Sequence, residues 1–461
     1  MRLWKNPRAI RLCSEMHLWS DFAGDKYSVF LALAGPYPKS ATSAFGHLFL
    51  AIAPSDSISF LNWLAVNFGA DTEGTSGLDY YIKGINGRFK ARYSLLPVHE
   101  KIREYAGTES RDIRIFPLKI SDKERVKLLD TLSNWVAKPQ PYKFFSYNCS
   151  HGIYALLASS LDSLPPLPQE IMSPQELVLL LQNENRLGYP YIFPSLKERV
   201  LNAEDEDVAR LEFLEWKNID RDSLREKELA KLRYSVSKSK KEKRYLLKPE
   251  NQRLKPHGYY RLDVGTLFIE KEPNAYIRFR PLLHDISDNP SYYSAQSTLE
   301  LFSFGFSANK YGVNLRELSL VHIRSASIHD SWFKAWSSDF FAGYKKDYAA
   351  LNMGIGKSFY ISEPRKIAIE FLPINSLRCK SGFSCDDFIG IEAQLNKRSA
   401  VNFRYGAGFE YLRSIMDFNR ESIQFKTWLS YNANKNFNLY TENVFDIKKQ
   451  GELGLYLRFY I

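Results

Sequence analysis

The chain has 461 residues, of which 44% are hydrophobic and 25% are charged, and it carries a net charge of +11. This length indicates about two or three domains, and the hydrophobic fraction argues against disorder. Aromatic residues reach 15%, which is typical of β-structure and of membrane interfaces. No RNA- or DNA-binding motif accompanies the positive charge, so we expect no nucleic-acid partner.

The first 165 or so residues have a mixed α and β pattern. Residues 44–53 alternate as a strand, with Phe45, His47 and Phe49 on one face. Residues 114–120 form a second short strand, and residues 121–137 form the clearest helix, which a capping box of Ser121 and Glu124 begins.

Asn148 is predicted to cap a second helix, residues 149–161, with an apolar face of Ile153, Leu156 and Leu157. The proline-rich residues 163–174 then mark the exit from this domain. Charge dominates residues 203–255, and helical spacing is plausible over 208–232. We interpret this region as a solvated helical connector; the alternative is a patch that binds lipid headgroups.

Beyond Tyr259, segments of about ten residues alternate in polarity between turn-forming residues. The last segment is typical, because Leu453, Leu455, Leu457 and Phe459 share one face and polar or aromatic residues share the other. About twelve such segments predict an antiparallel barrel, since strands in hydrocarbon must pair in a closed ring. A soluble β-domain with an inward apolar face is the alternative that alternation leaves open.

A barrel of this kind requires export to the outer membrane. Residues 1–24 contain basic residues but no long apolar run, so they do not resemble a signal peptide. We therefore expect the sequence to be a mature or truncated form, or to have a misplaced start.

The four cysteines are too few for a disulfide scaffold. Cys379 and Cys385 are close enough in sequence for a disulfide to close the loop between them in an oxidising compartment. No paired Cys or His spacing suggests zinc, so we expect neither a metal nor a cofactor. The histidines of the β-rich half are single, and we interpret them as structural: they are His257, His284, His322 and His329.

The segment from Tyr147 to Gly152 is the most informative for chemistry. With Asn148 as N-cap, Cys149 lies in the first helical turn, where free backbone amides and the helix dipole are expected to lower its pKa toward neutrality. A thiolate nucleophile needs a base, and His47 on its strand, preceded by Gly46, is the candidate.

Each of these residues has a plainer interpretation. A cysteine near a helix start is usually an inert buried residue, and a lone strand histidine is usually structural. His151 competes as the base, but two residues after Cys149 on the same helix it points largely away. In papain-like folds the cysteine helix packs against the histidine strand. Here the histidine comes first, as in the circularly permuted form.

The order of these motifs resembles that of the bacterial Lnb-like family, named for its periplasmic N-terminal domain. The matching segments are Ser43-Ala-Phe-Gly-His-Leu-Phe-Leu, Ser110-Arg-Asp-Ile, Tyr142 and Asn148-Cys149. The C-terminal half is similar to the partner domain of Gram-negative members at Lys255-Pro-His-Gly, Arg261, Phe279-Arg-Pro-Leu-Leu-His-Asp285 and Asp330-Ser-Trp332.

The resemblance implies a thiol acyltransferase related to permuted papain-like proteins, whose namesake moves an acyl chain from a phospholipid to a lipoprotein amino terminus. Cys149 then matches the family nucleophile and His47 the family histidine. Ser43, Asn148 and Arg111 match motif positions without an assigned role, and His151 remains a possible auxiliary residue.

We thus expect an α+β N-terminal domain (1–200, circularly permuted papain-like), a charged helical connector (201–255) and an all-β antiparallel outer-membrane barrel of about twelve strands (256–461). The predicted function is acyl transfer through a Cys149 thioester at the periplasmic face of the outer membrane. A membrane phospholipid would be the acyl donor, and a lipoprotein or another amine the acceptor. The alternatives are a Cys-His hydrolase (phospholipase or cell-wall amidase) and a non-catalytic barrel with a periplasmic binding domain.

Overall fold

The computed structural model describes residues 27–37, 46–54, 63–72, 74–75, 79, 83–84, 86–136, 138–144, 146–167, 172–203, 205–216, 223–238, 248–249, 257–258, 260–281, 283–288, 297–361, 367–380, 384–398, 402–434, 436–447 and 449–460. The chain forms two compact units, Met1–Leu254 and Lys255–Ile461, which we call the N-terminal unit and the barrel unit.

An antiparallel sheet organises the N-terminal unit. Its described strands are β1 (Tyr27–Ala34), β2 (His47–Pro54), β3 (Leu64–Asp71), β4 (Phe89–Pro97), β5 (Ile113–Pro117), β6 (Gln140–Tyr142), β7 (Tyr191–Phe193) and β8 (Lys248–Pro249). Their spatial order is β6-β4-β3-β2-β1-β5-β7-β8. The predicted strands at residues 44–53 and 114–120 correspond to β2 and β5, while residues 44 and 45 lie outside the described part of the chain.

Helices cover both faces of this sheet. They are α1 (Val98–Ile102), which continues as a π-helical segment (Arg103–Thr108), α2 (Asp122–Trp135), α3 (Cys149–Ala158), α4 (Pro174–Asn183), α5 (Leu196–Leu201), α6 (Glu206–Trp216) and α7 (Ser223–Lys238). Among the described residues, no helix has both the length and the apolar character needed to cross a bilayer.

Strand β2 is central and buried along nearly its whole length. Because neighbouring residues of a strand point to opposite faces, its alternate side chains meet different layers. On one face, Phe49 packs in a core cluster with Ile102 of α1 and Tyr105 of the π-helical segment. On the other face, α3 lies so close to β3 that a Cβ on Gly152 would come within 2.4 Å of the Phe68 ring.

The predicted starts of both main helices are confirmed. The Ser121 side chain caps α2 and forms a capping box with Glu124. Asn148 caps α3, whose apolar face of Ile153, Leu156 and Leu157 is buried as predicted.

The segment after the proline-rich region does not leave the fold. Strand β7 returns to the sheet beside β5 and carries β8 on its other side. The region with helical spacing, 208–232, contains parts of two helices, α6 and α7, which pack together through Leu211, Leu229, Leu232 and Val236. The start of this region is not simply solvated, since Trp216 of α6 contacts Phe193 of β7 at a ring distance of 5.8 Å.

The barrel unit is a closed antiparallel ring of twelve strands. They are β9 (Arg261–Ile269), β10 (Glu272–Arg280), β12 (Ser297–Asn309), β13 (Gly312–Ser325), β14 (Ser337–Lys345), β15 (Tyr348–Tyr360), β16 (Ile367–Lys380), β17 (Cys385–Arg398), β18 (Phe403–Ser414), β19 (Glu421–Asn434), β20 (Phe437–Asp446) and β21 (Lys449–Tyr460). The pairing of β10 with β12 closes the ring, and the two-residue strand β11 (Leu283–His284) lies beside β12 as an addition to it.

The predicted alternation of polarity is confirmed in the ring. On β21, Leu453, Leu455, Leu457 and Phe459 are exposed, whereas Arg458 between the last two is buried. In a closed ring the buried side is the lumen, so the apolar residues face outward. This is the arrangement that a lipid-facing barrel requires, and a soluble β-domain with an inward apolar face does not fit it.

A disulfide joins Cys379 and Cys385 across the hairpin between β16 and β17. The sequence left this bond open as a possibility. The two cysteines are direct cross-strand partners in the ring.

Candidate active site

Cys149 is the first residue of α3, as the sequence predicts, and its side chain is buried. The Asn148 side chain accepts a hydrogen bond from the backbone N–H of Ser150 at 2.9 Å. Its amide nitrogen donates to the carbonyls of Phe144 at 3.2 Å and Met172 at 2.8 Å. Asn148 therefore holds the first turn of α3 against the segment that precedes α4.

His151 serves the same cap. Its Nδ1 accepts a hydrogen bond from the backbone N–H of Asn148 at 3.4 Å, and its ring stacks on Tyr147. The His151 side chain is buried. An imidazole that completes a capping box is occupied in holding the helix start.

The Cys149 thiol reaches the backbone of β2. It accepts a hydrogen bond from the backbone N–H of Leu48, the residue next to His47. Pairing between β2 and β3 begins one residue later, with Phe49 opposite Asn67. The thiol therefore lies at the end of the β2–β3 ladder, beside the strand that carries the predicted base.

His47 is buried at this end of β2, on the face that also carries Phe49. Its Nε2 is 2.6 Å from Oδ1 of Asn67 on β3, and its ring centre is 5.5 Å from that of Tyr105. Helix α3 packs on the opposite face, where Gly152 lies against Phe68. The groups near the start of β2 therefore come from both faces of the sheet.

The pKa of Cys149 is raised, contrary to the sequence expectation. Burial is the dominant cause, and it outweighs the hydrogen bonds from Leu48 and Ser150, which lower the pKa. Desolvation opposes the charged thiolate, whereas a helix start favours it, and here desolvation is the larger effect. Without a bound substrate, the thiol form is therefore favoured at neutral pH.

The pKa of His47 moves the other way. Burial, followed by the charge of Lys101, lowers it to about 4, although the hydrogen bond with Asn67 acts in the opposite direction. His47 is therefore a neutral imidazole at pH 7 and has a nitrogen that can accept a proton. Burial thus favours the uncharged form of both side chains, the thiol of Cys149 and the neutral imidazole of His47.

A charged cluster lies behind His47. Burial by itself would lower the pKa of Lys101, yet Tyr105 and Glu104 raise it above the ordinary value. The Arg111 guanidinium lies over the Tyr105 ring at 4.4 Å and donates to the carbonyl of Gly35 at 2.9 Å. Arg111, which sequence reasoning left without a role, thus ties the end of β1 to the aromatic wall beside His47.

Gly46 and Gln175 border the same region. Gly46 has φ of +104°, and a Cβ there would lie 2.8 Å from the carbonyl oxygen of Ala34, so a larger residue would displace the start of β2. Gln175 is fully buried, and its Nε2 is the next nearest atom, 3.5 Å from that Cβ position.

The structure brings Cys149, Asn148 and the start of β2 together, and it assigns His151 to the cap. Ser43 lies outside the described residues. Sequence reasoning missed Asn67. In the sequence, Asn67 stands out only as a polar residue within the mostly apolar segment Leu64–Asp71. In the sheet, Asn67 is paired with Phe49 and therefore lies on the same face as His47.

His257 and His284 form a buried cluster with Asp288 in the barrel unit, which their separation in sequence concealed. The Nε2 of His257 is 3.2 Å from Nδ1 of His284, and the two rings are nearly parallel, with centres 5.4 Å apart. The two histidines form a hydrogen-bonded pair. Asp288 also accepts hydrogen bonds from Arg261 and Tyr460, both at 2.6 Å.

Residues 19–177 match the family model of the Lnb N-terminal periplasmic domain, and residues 254–460 match a domain of unknown function (DUF7840). No curated protein matches the chain at a significant level.

Several solved barrels are similar to the barrel unit. A structure titled KdgM porin is 9% identical with a TM-score of 0.30, and it covers 44% of this chain and 99% of its own. The NanC porin is 10% identical with a TM-score of 0.31, covering 43% and 98%. The Acinetobacter baumannii outer membrane protein Omp33 is 11% identical with a TM-score of 0.28, covering 44% and 99%. Values this low support no functional inference.

The fold defines an outer-membrane β-barrel protein with a periplasmic α+β unit at its N-terminus. Residues 19–177 of that unit are similar to the Lnb N-terminal periplasmic domain.

Proposed function

We propose that the N-terminal unit is a thiol acyltransferase of circularly permuted papain-like type, with Cys149 as nucleophile and His47 as base. One observation carries the proposal: the Cys149 thiol, at the start of α3, accepts a hydrogen bond from Leu48, the chain neighbour of His47. The order of strand histidine, strand asparagine and helix cysteine supports the permuted arrangement, because a sheet and a packed helix can bring these three together in space.

The first half-reaction forms a thioester. The thiol proton passes to Nδ1 of His47 while sulfur attacks the ester carbonyl carbon of a phospholipid. The carbon–oxygen ester bond then breaks, and the departing alkoxide takes the proton from His47. Backbone N–H groups near the thiol, such as those of Leu48 and Cys149, would stabilise the developing oxyanion.

The second half-reaction transfers the acyl group. An amine attacks the thioester carbonyl, His47 takes the amine proton, and the sulfur leaves and recovers it. A lipoprotein amino terminus is the proposed acceptor. The periplasmic Lnb domain and the outer-membrane barrel support this choice of substrates, because lipids and lipoproteins are local to such a protein and proximity favours reaction.

Intact-protein mass spectrometry of the full-length protein after incubation with phospholipid vesicles tests the proposal. We expect a mass increase equal to one acyl chain, released by hydroxylamine as a thioester should be. The adduct should disappear in Cys149→Ala and persist in Cys13→Ser, the matched control for another cysteine of the chain. An adduct that remains unchanged in Cys149→Ala would refute the nucleophile assignment.

Product analysis separates transfer from hydrolysis. With an amine acceptor present, a transferase yields the amide, whereas a phospholipase yields the free fatty acid in equal amounts with or without the acceptor. A cell-wall amidase would instead release peptide from peptidoglycan and form no lipid-derived adduct.

The raised pKa of Cys149 favours a second candidate, a non-catalytic binding module attached to the barrel. This alternative predicts that no acyl adduct forms at any pH between 6 and 9, although the domain is folded. The adduct experiment, repeated across this range, distinguishes it from the enzyme.

A further inference from the structure

A short turn of the barrel unit folds into the lumen. Strand β11 pairs with β12, and the chain then turns through Asp285 and Asp288. The backbone N–H of Asp288 donates to the carbonyl of Asp285, and the backbone N–H of Asp285 donates to the carboxylate of Asp288, both at 2.9 Å. We call residues 283–288 the inner turn.

The inner turn reaches the opposite wall. Arg404 of β18 donates to the carbonyl of Asp288 at 2.6 Å, and Ser430 of β19 donates to the carbonyl of Ser287 at 2.7 Å. In the ring order, β12 and β18 are separated by the same number of strands in both directions. A segment attached to both strands therefore spans the diameter of the lumen.

Charged contacts fix the inner turn from further strands. Arg261 of β9 and Tyr460 of β21 both donate to the carboxylate of Asp288 at 2.6 Å. Arg458 of β21 donates to the hydroxyl of Ser287 at 2.6 Å. A carboxylate that accepts several hydrogen bonds in a buried setting is held firmly, because each donor would be left unsatisfied if it moved.

Ion pairs cross the other half of the lumen. Arg324 of β13 binds Glu392 of β17 at 2.7 Å and Glu370 of β16 at 2.5 Å. These contacts join β13, β16 and β17. The space beside the turn is a cavity of about 210 Å³, and Asp285 and Ser287 form part of its lining.

We propose that the inner turn is a built-in plug that keeps the lumen closed to solutes, so that the barrel unit serves as a membrane anchor rather than a channel. Arg261, the first residue of β9, and Tyr460, the last residue of β21, both contact the plug. The plug therefore lies at the rim where the chain enters and leaves the barrel. The inference is independent of the chemistry proposed for Cys149.

Solute entry into liposomes that contain the full-length protein tests the plug. We expect the wild-type protein to admit sugars no faster than protein-free liposomes. In Asp285→Asn/Asp288→Asn, the plug loses its charged contacts, and entry should be at least about tenfold faster, since water-filled barrels conduct and plugged ones do not. The matched control is Arg378→Ala, which removes a lumen ion pair with Glu410 that does not include the plug and should leave entry at the wild-type level.

Heat-modifiable migration on gels verifies that each variant contains a folded barrel. If the double variant does not fold, Arg404→Ala is measured in its place. This substitution removes one contact between the plug and the opposite wall, and solute entry should again be faster than with the wild-type protein. Rapid entry with the wild-type protein would overturn the proposal. It would also be overturned if the folded double variant, or Arg404→Ala in its place, admitted solutes no faster than wild type.

Discussion

The Nε2 atom of His47 is 2.6 Å from the side-chain oxygen of Asn67 on the neighbouring strand. An amide oxygen only accepts, so Nε2 carries the proton and donates it, which leaves Nδ1 free to act as a base. The Asn67 amide nitrogen donates to the hydroxyl of Ser94 at 3.4 Å, which is consistent with this orientation. Asn67 thus sets both the tautomer and the direction of the imidazole.

Replacing Asn67 by alanine should lower kcat for acyl transfer by about 10- to 100-fold with little change in KM, because the imidazole loses its orientation while the substrate contacts remain. Steady-state kinetics of the full-length protein measure this effect. Asn67→Asp keeps an acceptor oxygen and should recover most of the rate. Ser94→Ala, which leaves the His47 contact intact, is the control, and a loss in Ser94→Ala as large as that in Asn67→Ala would contradict a positioning role.

The two shifted pKa values predict an unusual pH profile. Since the pKa of Cys149 is raised and that of His47 is about 4, alkylation of Cys149 should rise about tenfold per pH unit from pH 6 to 9. No inflection is expected near pH 6.5, because His47 stays neutral there. The rate of iodoacetamide labelling, measured in a Cys13→Ser background, checks this. A plateau beginning near pH 7 would instead indicate a thiolate–imidazolium pair.

His47 should also make the stability of the N-terminal unit depend on pH. Its pKa is about 4 when folded and near 6.5 when unfolded, so between these values only the unfolded chain binds the proton. Stability is therefore unaffected above pH 6.5 and falls as the pH drops toward 4, by up to about 3 kcal/mol.

Hydrogen exchange of β2 and β3 amides at pH 7 and pH 5 measures this loss. His47→Gln should remove most of the difference between the two pH values. His99→Gln, on the exposed side of α1, is the matched control and should retain it. An undiminished difference in His47→Gln would show that another group is responsible.

Gly152 controls how closely α3 approaches the sheet. Gly152→Ala would place a Cβ 2.4 Å from the Phe68 ring, and the helix would have to move away, with an expected loss of about 1–3 kcal/mol in the free energy of unfolding. Because Cys149 lies on the same helix, the thiol should also leave Leu48, and labelling of Cys149 should change.

The pair Gly152→Ala/Phe68→Ala tests the cause. If overlap with the ring is responsible, the double variant should lose less stability than the sum of the two single losses, as measured by denaturant unfolding. Additive losses would mean that Gly152 is required for another reason.

The sequence determined what depends on local pattern. The capping box of Ser121 and the N-cap of Asn148 depend only on residues that are close in sequence, and both were predicted correctly. The barrel was predicted from the alternation of apolar and polar residues, such as Leu457 and Arg458. A strand with lipid on one side and a polar lumen on the other requires apolar and polar side chains to alternate with a period of two residues.

Only the tertiary structure decided what depends on residues far apart in the chain. Asn67 meets His47 because β2 and β3 are neighbours, and the inner turn meets Arg404 because the ring closes. The pKa of Cys149 was predicted in the wrong direction, since the helix start is visible in the sequence whereas the burial that outweighs it is not. Local pattern fixes the elements and their faces, but desolvation and contact are set by the packing that surrounds each group.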